Sequence, residues 1–390
     1  MSLSPCPCCY ASELEIFYSA GTVPVHSTLL MRTREAALDY PKGSLELAVC
    51  HACGFITNLA FERGRHEYSH DCEESQGCSP TFSRWLQELA AQLVENHDIR
   101  HKTVLEIGSG KGEFLEAICR AGDNRGFGYD PAYVRGRHDS QTTGSLDFIP
   151  EFWDASKGIH DAEFIACRHT LEHIPDVADF LAQLREAIAS RIDTLVFFEV
   201  PDVMRVLKEC AFWDIYYEHC SYFSTRSLER LFQRNGFDVL ECALDYDDQY
   251  IMLLARPIAS PPVAATDPAL ELAASDHYRD HWAKNSIHWQ AFLQQRLERE
   301  QAVVLWGGGS KAVAFLTRIQ GSAAIKTVVD INPHKQGAYM PGTGQLVIAP
   351  GELKENPPHT VIVVNPIYHG EIEAMLSELG LQPEIVCLQG

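Results

Sequence analysis

The sequence predicts an α/β chain in which a small cysteine-rich N-terminal domain precedes two Rossmann-like units. Three observations carry this. Two C-x2-C pairs stand in the first fifty-odd residues, Cys6 with Cys9 in "CPCC" and Cys50 with Cys53 in "AVCHACG". The design strand, glycine turn, helix occurs twice, in "KTVLEIGSGKGEFLEAICRAG" from Lys102 and "AVVLWGGGSKAVAFL" from Ala302. Buried-type strands alternate with helical periods after each of them. A chain of 390 residues has room for two or three cores. The expected domains are 1–80, 81–257, a linker and helix over 258–300, and 301–390.

The formal net charge of -21 argues against nucleic acid as a partner, because an acidic surface repels phosphate backbones. No apolar run reaches the roughly 18–20 residues that span a bilayer, so no membrane association is expected. The start, "MSLSPCPCC", has neither a basic region nor an apolar stretch of the kind that opens a signal peptide. The expected location is cytoplasmic. There the 13 cysteines stay reduced, as metal ligands or buried thiols.

Two C-x2-C knuckles suit tetrahedral zinc, each giving two thiolates. The expected ligands are Cys6, Cys9, Cys50 and Cys53, with Cys8 a spectator and His51 a lesser candidate. An all-cysteine set points to a closed structural site, not a catalytic one. The scattered cysteines read as small buried apolar residues.

In the central unit the first strand is expected over 103–107. The turn places Gly108, Gly110 and Gly112 in a G-x-G-x-G spacing. That is neither the dinucleotide fingerprint nor a P-loop. Glu106, just before the turn, would repel a pyrophosphate but attract a sulfonium or ammonium group. "GFGYD" is the second strand, and Asp130 at its end is placed to accept both hydroxyls of a ribose. An adenosine with a positive substituent and no phosphates satisfies all of this, and S-adenosylmethionine is such a molecule. "LDFIPEFW", "AEFIACRHT" and "DTLVFFEVP" read as the third, fourth and fifth strands. Glu151 and Phe152 are expected to hold the adenine, and Arg168 and His169, at the end of the fourth strand, are expected to bind the cofactor as well. A helix and two antiparallel strands follow in "STRSLERLFQRNGFDVLECALDYDDQYIMLLARP". This stretch of about 155 residues resembles a class I methyltransferase.

Loops after strand ends line the ligand crevice in such a fold. "RHTLEHIPD" brings His169, Glu172 and His173 there, and "YYEHCSYFS" brings Tyr216, Glu218 and His219. The bland alternative for the second stretch is a solvated connection whose aromatics pack on the next helix, capped by Ser224 or Thr225. For Glu172 it is an acid favoured at a helix N-terminus.

Four zinc-type cysteines, H-I-P after strand four, E-H-x-x-(Y/F)-x-S after strand five and a second Rossmann-like unit together resemble the deoxysugar C-3 methyltransferases. That family acts on nucleotide-linked 4-keto-6-deoxyhexoses. The resemblance implies an active site of Tyr216, Glu218, His219 and His173, with His219 removing the C-3 proton. The chemistry is sound: a proton alpha to a ketone is acidified by enolate formation, and a histidine can take it near neutral pH. Tyr216 or His173 would steady the enolate oxygen. The family's tyrosine ahead of the methyltransferase domain is matched here by Cys72; either Tyr68, four residues away, takes that role, or the role is absent.

The C-terminal unit follows the Pro/Ala-rich "IASPPVAATDPAL" and a long polar helix to about Glu300. Its turn holds Gly307, Gly308 and Gly309, with Asp330 ending the next strand. Lys311 is placed to meet a phosphate, and Asn332, Lys335, Tyr368 and His369 are polar candidates without roles. The resemblance implies that this domain packs over the active site and helps hold a sugar nucleotide. The leading expectation is a zinc-containing C-methyltransferase that uses S-adenosylmethionine on a nucleotide-linked keto-sugar. The alternatives are an O- or N-methyltransferase on a sugar or small metabolite, a nucleotide-dependent oxidoreductase using the C-terminal glycine loop, and a non-catalytic binding protein.

Overall fold

The computed structural model describes residues 5–65, 68–136, 146–259 and 267–389. Residues 260–266 of the expected Pro/Ala-rich linker lie outside the described residues. The N-terminal unit begins with β1 (Leu14–Pro24), α1 (Arg34–Leu38), β2 (Lys42–Cys50) and β3 (Ile56–Asn58). β1 and β2 form a long antiparallel hairpin with two register shifts. Leu45, Leu47 and Val49 alternate on the buried face of β2, the period a one-sided sheet requires.

The central unit comprises α2 (Pro80–Asn96), β4 (Thr103–Ile107), α3 (Glu113–Gly122), β5 (Arg125–Tyr129), β6 (Leu146–Ile149), β7 (Phe164–Arg168), α4 (Val177–Ile188), β8 (Leu195–Pro201) and α5 (Val203–Lys208). After β9 (Ser221–Tyr222) come α6 (Thr225–Arg234), β10 (Phe237–Asp245) and β11 (Tyr250–Pro257). Seven strands make one sheet in the order β10-β11-β8-β7-β4-β5-β6. β11 pairs antiparallel with both β10 and β8, and the remaining pairs are parallel. β4 and β7 are buried on both faces, as strands sandwiched between helix layers must be. The chain goes from β4 outward through β5 and β6, then crosses back to β7 on the other side. A crevice therefore opens at the strand ends beside β4. The third strand is shorter than its apolar run suggested, because the chain turns off at Pro150.

β9 does not belong to that sheet. Ser221 and Tyr222 pair with Thr57 and Ile56 of β3 and complete the N-terminal sheet, β1-β2-β3-β9. The stretch "YYEHCSYFS" is thus the seam between two units. Ser224 caps α6 and forms a capping box with Ser227.

A 30-residue helix, α7 (Ala269–Glu298), leads to β12 (Val303–Trp306), α8 (Ser310–Arg318), β13 (Thr327–Val329), β14 (Leu346–Ile348), β15 (Thr360–Val363), α9 (His369–Glu378) and β16 (Glu384–Cys387). The five strands are parallel in the order β14-β13-β12-β15-β16. One hydrophobic cluster joins all three units, with Tyr18, Trp213, Trp289 and Phe315 among its members. Tyr278 meets Tyr18 edge-on at 5.1 Å, and Trp289 meets Phe315 at 5.5 Å. Each such burial contributes on the order of 1.5–3 kcal/mol, so the units are held as one body.

Candidate active site

A single cavity of about 680 Å³ lies where the three units meet. The N-terminal unit lends it His26, Thr28, Tyr68 and Cys72. The central unit lends the glycine turn, Asp130 and the segments after β7 and β8. The C-terminal unit lends Gly307–Lys311, Asp330, Asn332, Lys335 and Tyr368.

The glycine turn has the conformation its sequence implied. Gly108, Gly110 and Gly112 have φ of +75°, +52° and +93°, in the left-handed region. A Cβ at Gly108 would run into Thr170, and one at Gly112 into Phe148. Asp130 ties the turn together: Oδ2 accepts Gly110 N–H at 2.9 Å and Oδ1 accepts Ala132 N–H at 2.6 Å. Each oxygen keeps a further lone pair. Glu106 is 2% exposed, and burial pushes its carboxyl up to about 8 against the pull of Arg168. Its Oε2 and the Ser109 hydroxyl are buried without a hydrogen-bond partner among the described residues. Orphaned polar atoms beside an open turn fit an incoming polar ligand. Glu106, Ser109, Gly110 and Asp130 are the residues that would hold the amine and ribose of S-adenosylmethionine. Lys111 is fully engaged, donating to the carbonyls of Cys72 and Ala132.

Two expected adenine contacts part company. Phe152 lines the cavity and is 64% exposed. Glu151 turns outward and pairs with Lys157, so the structure does not bring it to the cofactor side. Arg168 is committed to Glu199 through Nε at 2.6 Å and Nη2 at 3.0 Å. It is a buried ion pair under the cavity floor, a role closer to support than to direct cofactor contact.

His169 has φ +46° and places Nε2 2.7 Å from Glu199 Oε1 and Nδ1 3.4 Å from Glu172 Oε1. Burial opposes its charge, but Glu199 and Glu172 outweigh that and hold it at about 9. Glu199 is held at about 2 despite burial, by Arg168 and His169.

The acceptor end is built from rings. His219 is 6% exposed, 4.2 Å from the Tyr216 ring and 4.8 Å from the His173 ring. Burial, then His173 and His169, push His219 well below its ordinary value. His173 Nδ1 is 3.0 Å from the Glu218 carbonyl oxygen, which it meets as a donor, leaving its other nitrogen toward the cavity. Glu218 is buried and raised by burial; its Oε1 accepts the Ser27 N–H at 2.8 Å. Tyr68 packs edge-on against His173 at 5.7 Å and His26 at 5.5 Å. Of the two candidates for the family's tyrosine position, both line the cavity, and Tyr68 is the one in ring contact with His173. Sequence reading missed His26 and Ser27, which arrive on the turn after β1.

Cys6, Cys9, Cys50 and Cys53 converge, with every sulfur within 4.8 Å of the others. Cys6 and Cys53 lie 3.7 Å apart, and Cys9 and Cys50 3.6 Å. Zn–S bonds of about 2.3 Å in a tetrahedron give edges of about 3.8 Å, so the cluster could hold zinc. Cys8 stands outside it.

In the C-terminal unit Lys311 does not face an open phosphate site. Its Nζ pairs with Asp214 Oδ1 at 2.5 Å, so the expected anion contact is taken up internally. Asp330 repeats the device of Asp130, accepting Gly308 N–H at 2.7 Å and Asn332 N–H at 2.8 Å. Lys335 Nζ lies 3.6 Å from it. His369 opens α9, outside the cavity lining.

The strand order β6-β5-β4-β7-β8-β11-β10, the glycine turn and its acid make the chain an S-adenosylmethionine-dependent methyltransferase. Residues 79–242 match the family described as a methyltransferase domain, and residues 265–382 match the C-methyltransferase C-terminal domain. The chain is 27% identical over 403 residues to the C-methyltransferase NovU of Streptomyces niveus, covering 95% of this chain and 91% of that protein. These matches support a C-methyltransferase. Among solved structures, the magnesium protoporphyrin IX methyltransferase of Synechocystis PCC 6803 with bound SAH overlaps 45% of this chain and 84% of its own at 15% identity, TM-score 0.36. The riboflavin-analogue dimethyltransferase RosA of Streptomyces davawensis overlaps 45% and 56% at 18% identity, TM-score 0.37. Among the described residues no helix is long and apolar enough to cross a membrane.

One prediction tests the cofactor crevice. Asp130→Ala is expected to weaken binding of S-adenosylhomocysteine by about 10²-fold, since two hydrogen bonds to a charged acceptor are lost. Calorimetric titration reads this. Unchanged affinity in a folded variant would remove Asp130 as the ribose anchor.

Proposed function

We propose that the protein transfers a methyl group from S-adenosylmethionine to the carbon alpha to a ketone in a nucleotide-linked keto-deoxysugar. His219 is the general base. The observation that carries this is the buried His219, its pKa pushed down, ringed by Tyr216 and His173 in the same cavity as the glycine turn. A neutral imidazole at pH 7 accepts a proton; an imidazolium would not. Tyr216, Tyr68 and His173 surround the place where the enolate oxygen would develop, and a donor there lowers the barrier. Glu218 orients the loop and faces the acceptor. Bound S-adenosylmethionine supplies the electrophilic methyl. The cavity continues into the C-terminal crevice at Gly307–Gly309, Asp330 and Lys335, which leaves room for a nucleotide. A structural zinc at the four cysteines and a reducing compartment such as the cytoplasm complete the reading.

The test is exchange in heavy water. With S-adenosylhomocysteine and a panel of nucleoside-diphosphate-linked 4-keto-6-deoxyhexoses, the C-3 hydrogen of one member is expected to wash out. With S-adenosylmethionine, a new carbon–carbon bond should form at that carbon. Methylation on oxygen or nitrogen without exchange would overturn the proposal.

A further inference from the structure

The loop carrying Glu218 and His219 is gripped from the C-terminal unit. Helix α8 starts directly after the Gly307–Gly309 turn. Its second residue, Lys311, pairs with Asp214, and its last, Arg318, donates to the carbonyl oxygens of Phe212 and Ile215. Those three residues immediately precede Tyr216. Its first residue, Ser310, reaches the catalytic pair by a different route. Ser310 Oγ and Ser27 Oγ are hydrogen bonded at 2.6 Å, and Ser27 donates both its N–H and its hydroxyl to Glu218 Oε1. A hydroxyl has one proton. With Ser27's proton directed at the carboxylate, the bond between the two hydroxyls is donated by Ser310. Glu218 Oε2 is buried with no hydrogen-bond partner in the structure.

We infer that Ser310 is a positioning residue for the Glu218–His219 pair: through Ser27 it fixes the Glu218 carboxylate and couples the C-terminal glycine turn to proton removal. The chain Ser310, Ser27, Glu218 crosses all three units, and its two ends, Ser310 and Glu218, line the same cavity. A ligand settling in the C-terminal crevice presses on the residue that orients the acid. Nothing in the fold alone requires this; α8 is already clamped by Lys311 and Arg318.

The proposal rests on the proposed function for its kinetic arm only. Donors to a carboxylate favour its charged form, so losing them raises its pKa. The titratable groups around Glu218 include His219 next to it in the chain, which clusters with His173 and Glu172, together with His26, with Nδ1 3.8 Å from Oε1, and the phenols Tyr68, Tyr216 and Tyr222. The variants leave all of them in place. The first readout is the Glu218 carboxyl titration by ¹³C NMR in the full chain with S-adenosylhomocysteine, assigned with Glu218→Gln. The second is kcat on whichever keto-sugar of the panel turns over. Ser310→Ala and Ser27→Ala are expected to raise the carboxyl midpoint by about half a pH unit or more. Turnover is expected to fall by about tenfold with KM for S-adenosylmethionine unchanged, and Ser310→Thr should restore both. An unmoved midpoint in folded Ser310→Ala overturns the inference. So does a drop in kcat that threonine does not rescue. Should no sugar turn over, the functional proposal fails while the carboxyl titration still decides this one.

Discussion

Replacing His219 with Asn is expected to lower kcat by about 10²–10⁴-fold, the range a general base supplies, while S-adenosylhomocysteine binds as before. The separation follows from the geometry. The cofactor crevice is built by Gly108–Gly112, Glu106 and Asp130. His219 instead makes its ring contacts with Tyr216, His173 and Tyr222. Asparagine fills similar space without a basic nitrogen, so the aromatic shell should hold. The pH profile adds a second constraint. Burial lowers the His219 pKa, and His173 and then His169, held at about 9, lower it further. A base must be neutral to work, and a lowered pKa keeps it neutral into acid. The acid limb of kcat is therefore expected below pH 6.5, the ordinary histidine value. A limb at or above 6.5 would place the base elsewhere, and full activity of the variant would remove His219 from the reaction.

Much of this site could be read from the chain because its parts are local. The glycine turn, Asp130 and Glu106 lie within one strand–turn–helix–strand unit, where spacing dictates position. The two knuckles are local as well, and their pairing follows from ligand chemistry. What was hidden depends on long-range packing. Tyr217 looks like a partner of Tyr216, yet it is wholly buried, donates to the Glu62 carbonyl oxygen and packs beside Gly43. His26 and Ser27 sit on an unremarkable turn, and only the fold brings them to Glu218. Lys311 matched a phosphate-loop position by sequence, but Asp214, about a hundred residues earlier, claims its charge. Glu151 sat beside Phe152 in the chain, and adjacent residues after a strand end face opposite ways.

Cys50→Ser is expected to lose zinc and melt the N-terminal unit, and its effect should reach the active site. Structural zinc contributes about 10–16 kcal/mol of binding free energy that doubles as folding free energy, and one lost thiolate forfeits a large share. The cluster is not a remote appendage. Cys6, Cys50, Cys53 and Phe55 share a core with Leu171, Val177, Phe223 and Leu228 of the central unit. Pro7 accepts the Ala178 N–H through its carbonyl, and Tyr10 donates to Asp179 at 2.6 Å, so the first knuckle docks on the start of α4. That start directly follows the turn bearing Glu172 and His173. Cys50 ends β2, and β2 lies beside β3, which pairs with β9 at Ser221 and Tyr222. Loss of the metal thus loosens both loops of the acceptor site from the outside, while Asp130 is held by the Gly110 and Ala132 N–H groups of its own unit. The expected result is metal content well below one zinc per chain, a lowered Tm and a depressed kcat, with S-adenosylhomocysteine affinity nearly kept. Elemental analysis, thermal melts and calorimetry on the same preparation check each part. Unchanged zinc content would sink the four-cysteine site, and zinc loss with unaltered turnover would show that the knuckles do not support the acceptor loops.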